Sequence, residues 1–317
     1  MEYFLLILGM AILIYSADLL VKGASSFAKM MKVSNLMIGL TVVAFGTSFP
    51  ELIVNIFASS TGNSDLAVGN IVGSNLVNIL LILGISAVVK PLLVQNTTVR
   101  YEIPFGVLAT LVLFVVANDT LLSNTGFNVI NRTDGLIFLS FFIIFIYYTF
   151  VIGTSGSVNN EDGNDVAEMS KLKSTLLIIA GLVGLYFGGK FIVESATTIA
   201  EALGMSQYLI GVLVVGVGTS LPELATSVVA SLKGNSDMAV GNIVGSNIFN
   251  IFFILGISAV MTDIPFNPSI NLDILLGLIA TILLFVFVFT GKGRKIDRVE
   301  GSIFVVAYLA YVVYILL

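Results

Sequence analysis

The chain has 317 residues, of which 57% are hydrophobic and 10% charged, with a mean hydropathy of +1.06 and a formal net charge of −5. A soluble domain carries about 25% charged residues, so this composition excludes a water-covered globule and implies a polytopic membrane protein. Cys and His are absent, which excludes disulfides, thiolate metal sites, and the usual zinc ligand and proton relay. No basic patch points to nucleic acid. Any cation site must therefore be built from oxygen.

Apolar runs long enough to cross a bilayer, roughly 17–25 residues, fall in chain order near 3–21, 36–60, 66–89, 103–118, 134–152, 174–193, 207–232, 238–260, 272–290 and 300–317. The first has no basic leader and no small-residue cleavage site, so it reads as a retained helix. The fourth is short and is expected to be longer or tilted. Ten spans put both termini on one side. The loops after spans one, three, five, seven and nine hold 12 of the 14 Lys and Arg residues, leaving only Arg132 and Lys190. Basic loops face the cytoplasm, so both termini are expected outside, in a plasma or inner membrane. Asp18 and Lys190 are expected near span ends, where they could snorkel.

The chain repeats itself. Residues 39–84 align without a gap onto 211–256, with 29 of 46 positions identical. The likeness extends upstream and downstream, so each half is predicted to hold five helices. Five is odd, so the second half enters the membrane inverted. The expected fold class is an all-α membrane protein of ten transmembrane helices, as two inverted-topology five-helix repeats. The divisions are a first repeat at 1–152, an acidic cytoplasmic linker at 153–173 carrying Glu161, Asp162, Asp165 and Glu168, and a second repeat at 174–317.

The second span reads Gly46-Thr47-Ser48-Phe49-Pro50-Glu51, and the seventh Gly218-Thr219-Ser220-Leu221-Pro222-Glu223. Proline has no N–H and crowds the carbonyl four residues back, so Pro50 should free the Gly46 carbonyl and Pro222 that of Gly218. Freed carbonyls at membrane depth need protein or a wet cavity to satisfy them. In a continuous helix Thr47 and Ser48 share the face of Glu51. Ser74 and Asn78 lie four apart on the third span, as do Ser246 and Asn250 on the eighth. Symmetry would bring these four spans together at the midplane, with two carboxylates, hydroxyls, amides and carbonyls. Such hard oxygens suit Ca²⁺, which takes roughly six to eight. Two ionised Glu carry −2, which one Ca²⁺ or two Na⁺ neutralise. A site that takes one divalent or several monovalent ions, but not both, is the core of an antiporter. Protons compete for the same carboxylates, so low pH should inhibit.

Blander readings apply elsewhere. The small-residue spacing Gly69-x-x-x-Gly73 reads as helix packing. Asp65 and Asp237 are expected to be helix N-caps, and Asn70, Asn75, Asn242 and Asn247 to bond backbone around the breaks. Glu51 and Glu223 differ, because intramembrane carboxylates are functional by default. The motif does not fit a Gly-x-Ser-x-Gly nucleophile elbow, and no His could activate a serine, so an enzyme is not expected. A cation channel is disfavoured by the inverted repeat around a central acid pair.

At these residues the chain resembles the sodium/calcium exchanger family, within the cation/Ca²⁺ exchanger superfamily. The paired motifs "GTSFPE" with "GNIVGSNLVNI" and "GTSLPE" with "GNIVGSNIFNI" resemble that family's two sequence repeats. The resemblance covers essentially the whole chain. It implies exchange of about three Na⁺ for one Ca²⁺ by alternating access, with helices 1 and 6 sliding across a fixed core, and no cofactor beyond the transported ions. It implies Glu51 and Glu223 as central ligands. Thr47, Ser48, Ser74, Thr219, Ser220 and Ser246 would be side-chain ligands, with backbone carbonyls at Ala44 and Gly216. Family members commonly carry an Asp at one of the positions held here by Asn78 and Asn250, which argues against K⁺ co-transport. Proton-coupled relatives resemble "GNAxE" at the Glu, which favours Na⁺ as the coupling ion and leaves H⁺/Ca²⁺ exchange as the alternative. The expected partners are Na⁺, Ca²⁺ and lipid, and a monomer suffices.

Overall fold

The fold is that of a computed structural model describing residues 1–123, 126–155, 169–204, 216–290 and 293–316. It is almost wholly helical. Besides a short helix at Asp119–Ser123, the helices among the described residues are α1 (Glu2–Met31), α2 (Asn35–Thr47), α3 (Phe49–Ser60), α4 (Ser64–Val89), α5 (Thr98–Val116), α6 (Arg132–Ser155), α7 (Lys171–Ala202), α8 (Gly216–Gly218), α9 (Leu221–Leu232), α10 (Ser236–Met261), α11 (Pro268–Thr290) and α12 (Arg298–Leu316). Among the described residues, eight helices are long and apolar enough to cross a membrane. A ninth span results if α2 and α3, bent by 47° at their junction, count as one. Helix α9 is shorter, and the start of the expected seventh span lies outside the described residues. So do the four acidic residues of the expected linker.

Several helices outrun their apolar cores. Helix α1 was expected over 3–21 but continues to Met31, and α7 was expected over 174–193 but runs from Lys171 to Ala202. Thirty residues make a helix of about 45 Å, against a hydrocarbon thickness of about 30 Å. Asp18 and Lys190 therefore sit inside helices and not near their ends, and both are ion-paired: Asp18 with Lys22 and Lys233 at 2.6 Å each, Lys190 with Glu194 at 3.6 Å. Helix α5 begins at Thr98, five residues before the expected start. It opens with a π-helical turn, Thr98–Glu102, ahead of Pro104.

The two halves interlock reciprocally. Strand β1 (Leu92–Leu93) of the first half pairs with β4 (Lys295–Ile296) of the second. Strand β2 (Val129–Ile130) pairs with β3 (Ile264–Pro265). The side-chain amides of Asn118 and Asn271 exchange hydrogen bonds of 2.8 and 2.7 Å. Helix α12 packs on the end of α4, and α6 packs on the end of α10. A Cβ at Gly301 would lie 2.8 Å from Gly84 O, and one at Gly135 would lie 2.8 Å from Gly256 O. Each contact has a counterpart with the halves exchanged, as an approximate twofold axis requires.

Helices α4 and α10 are the most buried spans, at 78% and 83%, and they cross at the centre. Their starts are capped by Asn63 and Asn235, whose side chains accept from Leu66 N and Met238 N. Asp65 and Asp237 are thus not the caps. They sit in the first turn, where negative charge suits the helix dipole. Helices α1 and α7 run side by side at the edge of the molecule. Their backbones approach so closely that a Cβ at Gly188 would lie 2.9 Å from Leu13 N and 3.0 Å from Gly9 O. Small residues permit this approach where lipid supplies no hydrophobic drive for association.

Candidate cation site

The second span is interrupted at Ser48, whose backbone (φ −82°, ψ 11°) leaves the helical region. Pro50 is expected within one span, 36–60, freeing the Gly46 carbonyl. It lies instead in the first turn of α3, where its missing N–H costs nothing. Gly46 keeps a carbonyl that residue 50 cannot serve. Ser220 repeats the break (φ −89°, ψ 8°), with Pro222 in the first turn of α9. Each break brings a Glu to the start of a helix, where the N-terminal dipole favours a carboxylate.

Both carboxylates are buried: Glu51 and Glu223 are each 1% exposed. Glu51 Oε1 accepts from Ser220 at 3.3 Å and from Ser74 at 3.5 Å. Glu223 Oε1 accepts from Ser48 at 2.9 Å and from Ser246 at 3.5 Å. Each carboxylate is thus held by one hydroxyl from its own half and one from the other. The expectation that Ser48 and Thr47 serve Glu51 is corrected, because the break at Ser48 removes the three- and four-residue helical spacing and turns both side chains across the axis. Thr47 Oγ1 also lies 3.1 Å from Asn242 Oδ1.

The second oxygens are different. Glu51 Oε2, Glu223 Oε2, Asn78 Oδ1, Asn250 Oδ1 and Thr219 Oγ1 are buried without a hydrogen-bond partner. An unpaired buried polar atom costs about 1–3 kcal/mol, more when charged. Four of these five are symmetry-related acceptors. Two buried carboxyl groups and two amide oxygens whose lone pairs no donor fills suit a hard cation. Among the described residues no three acidic side chains converge. Ala44 O already accepts from Ser48 N at 3.0 Å and faces Thr47 Oγ1 at 3.4 Å. Gly216 opens α8, and Ser220 N turns to Val217 O at 3.2 Å.

Of the four asparagines expected to bond backbone around the breaks, Asn70 and Asn242 do so, whereas Asn75 and Asn247 bond each other's backbone across the axis. Asn70 and Asn242 donate to the carbonyls of Glu51 and Glu223 at 3.3 and 3.5 Å. Asn75 and Asn247 each donate to the other's carbonyl at 3.3 Å. Two features escaped the sequence reading. Glu51, Asn55 and Ser59 form a buried stripe on α3, and Glu223, Ser227 and Ser231 form one on α9. Asn55 donates to Ser258 at 2.9 Å and Ser231 to the Ser86 carbonyl at 2.9 Å, tying these helices to the ends of α10 and α4. The signal was there, as polar residues at every fourth position. Glu102 is also buried, at 1% exposure, and accepts from Tyr148 at 2.7 Å. Hydropathy does not mark it, because the apolar run of the fourth span begins one residue later, at Ile103.

The family model "Sodium/calcium exchanger protein" matches residues 1–151 and 173–317. Among curated proteins, the chain is 36% identical over 271 residues to the inner membrane protein YrbG of Escherichia coli strain K12, covering 83% of this chain and 81% of that protein. It is 32% identical over 342 residues to the sodium/calcium exchanger MaX1 of Methanosarcina acetivorans, covering 98% and 97%. A more distant relative, at 23% identity over 286 residues, is the Ca²⁺/H⁺ antiporter ChaA of Bacillus subtilis, covering 86% and 80%. The structure is similar to that of the sodium-calcium exchanger NCX_Mj soaked with 10 mM Na⁺ and no Ca²⁺, with a TM-score of 0.83, 33% identity and 98% coverage of both chains. The chain belongs to the sodium/calcium exchanger protein family, a family of membrane antiporters and not of enzymes.

Proposed function

We propose that the chain exchanges about three Na⁺ for one Ca²⁺ by alternating access and expels Ca²⁺ from the cell, with no cofactor beyond the transported ions. Its transport site is the cage of Glu51, Glu223, Thr47, Ser48, Ser74, Asn78, Thr219, Ser220, Ser246 and Asn250, with the carbonyls of Ala44 and Gly216. One observation carries this reading: each buried carboxylate has one oxygen held by hydroxyls from both halves and one oxygen left unpaired. The held oxygen fixes the geometry and the free one awaits a cation. The Na⁺/Ca²⁺ exchanger relatives support the choice of ions.

The rest of the reading is ten spans in two inverted repeats, 1–152 and 174–317, joined by a cytoplasmic linker at 153–173, with both termini outside a plasma or inner membrane. The basic loops support that orientation. A single chain holds the whole cage, so a monomer suffices. The second reading couples Ca²⁺ to H⁺ through the same two carboxylates, and the similarity to a Ca²⁺/H⁺ antiporter favours it.

Glu51→Gln and Glu223→Gln each remove one charge while keeping shape. Each is expected to abolish Ca²⁺ uptake into proteoliposomes, with monodisperse purification retained. Wild-type uptake by either variant would remove these two residues from the transport site.

A further inference from the structure

The four central asparagines form a chain of amide hydrogen bonds that the proposed function does not use. Asn75 Nδ2 donates to the backbone carbonyl of Asn247 at 3.3 Å, and Asn247 Nδ2 donates to that of Asn75 at 3.3 Å. Asn250 Nδ2 donates to Asn75 Oδ1 at 2.9 Å, and Asn78 Nδ2 to Asn247 Oδ1 at 2.9 Å. All four side chains are more than nine-tenths buried. Asn78 Oδ1 and Asn250 Oδ1, at the far ends, have no partner.

The direction of this chain is decided by its anchors. A backbone carbonyl can only accept, so the end of Asn75 that meets the Asn247 carbonyl must be its NH₂. The other end, Oδ1, then faces Asn250 and can only accept. Asn250 must therefore offer its own NH₂ there and turn its oxygen away. The same sequence runs from Asn247 to Asn78. Flipping any one amide would set two NH₂ groups or two oxygens against each other in a buried place. Ser74 and Ser246, one turn before Asn78 and Asn250 on the same faces, already reach the two carboxylates. A cation tolerates an amide oxygen there and not an amide NH₂.

We propose that Asn75 and Asn247 are positioning residues that lock the amides of Asn250 and Asn78, respectively, with oxygen toward the transported cation. The proposal rests on the cage assigned above. It predicts crossed pairing: Asn247 acts through Asn78, and Asn75 acts through Asn250, each across the twofold axis.

The test is a double-mutant cycle read as the KM for Ca²⁺ and as Ca²⁺-induced thermal stabilisation in detergent. Asn78→Ala alone asks whether Asn78 belongs to the cage; an unchanged KM would count against the cage itself. Given a raised KM for Asn78→Ala, Asn247→Ala is expected to raise it by roughly three- to tenfold, as for one lost buried hydrogen bond. The effect should vanish when Asn247→Ala is added to Asn78→Ala and persist when it is added to Asn250→Ala. A purely structural role would lower thermal stability in every background and leave KM additive, which would overturn the proposal. Should Asn247→Ala not survive extraction, the wild-type protein gives the answer by infrared difference spectroscopy with carbonyl-labelled Asn. A Ca²⁺-induced shift of the side-chain amide carbonyl band is expected, and an unmoved band would overturn it.

Discussion

At the scale of single residues, the site is decided by what hydroxyls do to carboxylates. Ser48 reaches Glu223 at 2.9 Å and Ser220 reaches Glu51 at 3.3 Å, so each half aims the acid of the other. A hydroxyl bonded to a charged acceptor is stronger than a neutral pair. Ser48→Ala is therefore expected to raise the KM for Ca²⁺ by roughly tenfold, and Ser220→Ala by less, because its hydrogen bond is longer. Isotope uptake at varied Ca²⁺ checks both, and an equal or reversed order would count against this geometry. The carboxylates were legible from the sequence because charge is so costly at membrane depth. Their crossed partners were not. Helical spacing placed Ser48 beside Glu51, and only the backbone turn at Ser48 sends it to Glu223.

At the scale of elements, the broken span does the positioning. Pro50 and Pro222 lie in the first turns of α3 and α9, and Ser48 and Ser220, two residues earlier, leave helical geometry. Pro50→Ala restores an N–H at position 50 and offers the Gly46 carbonyl a partner. Helices α2 and α3 should then tend to fuse, with transport reduced at least tenfold and thermal stability little changed, since the missing N–H of a first-turn proline costs nothing. Loss of stability together with transport would show that the proline serves packing instead. The spans themselves were readable, because apolar length is a strong signal. Their ends were less so, for two reasons. Helices α1 and α7 continue past the apolar run on charged residues that pair along and between helices, and α5 begins on a π turn that hides Glu102 from a hydropathy count. The caps fell on Asn63 and Asn235, two residues before the acids expected there, because a short side-chain oxygen outside the first turn reaches its amides best.

At the scale of the whole molecule, twofold reciprocity is broken at one edge. Asp18 on α1 holds Lys233, just beyond α9, at 2.6 Å, and Asn235 holds Ser25 at 3.0 Å. The positions equivalent to Asp18 and Lys233 are Lys190 and Thr61, which cannot form that ion pair. On the other side, Phe49, Ile53 and Phe57 of α3 are exposed by 44%, 48% and 67%, whereas their equivalents Leu221, Ala225 and Val229 on α9 are covered or half-covered. The α1–α7 pair thus leans on the α9 side. If alternating access moves this pair, Asp18→Asn should release it. Partly exposed ion pairs are worth about 0.2–1 kcal/mol, so labelling of a cysteine at Ser25, buried on α1 beside Asn235 in a chain with no other Cys, should rise by roughly two- to fivefold. Unchanged labelling would confine the bridge to surface chemistry.

The central claim is that two buried carboxylates let one cage take Ca²⁺ or several Na⁺ in alternation, and radioactive Ca²⁺ uptake into purified proteoliposomes tests it most directly. Vesicles loaded with Na⁺ are compared with vesicles holding a proton gradient and no Na⁺. Uptake driven by internal Na⁺ and enhanced by an inside-positive potential change is not expected of a neutral exchange; a Na⁺-driven uptake that responds to membrane potential, with net positive charge leaving as Ca²⁺ enters, is the predicted result. Uptake driven by the proton gradient alone would contradict it and make H⁺ the coupling ion.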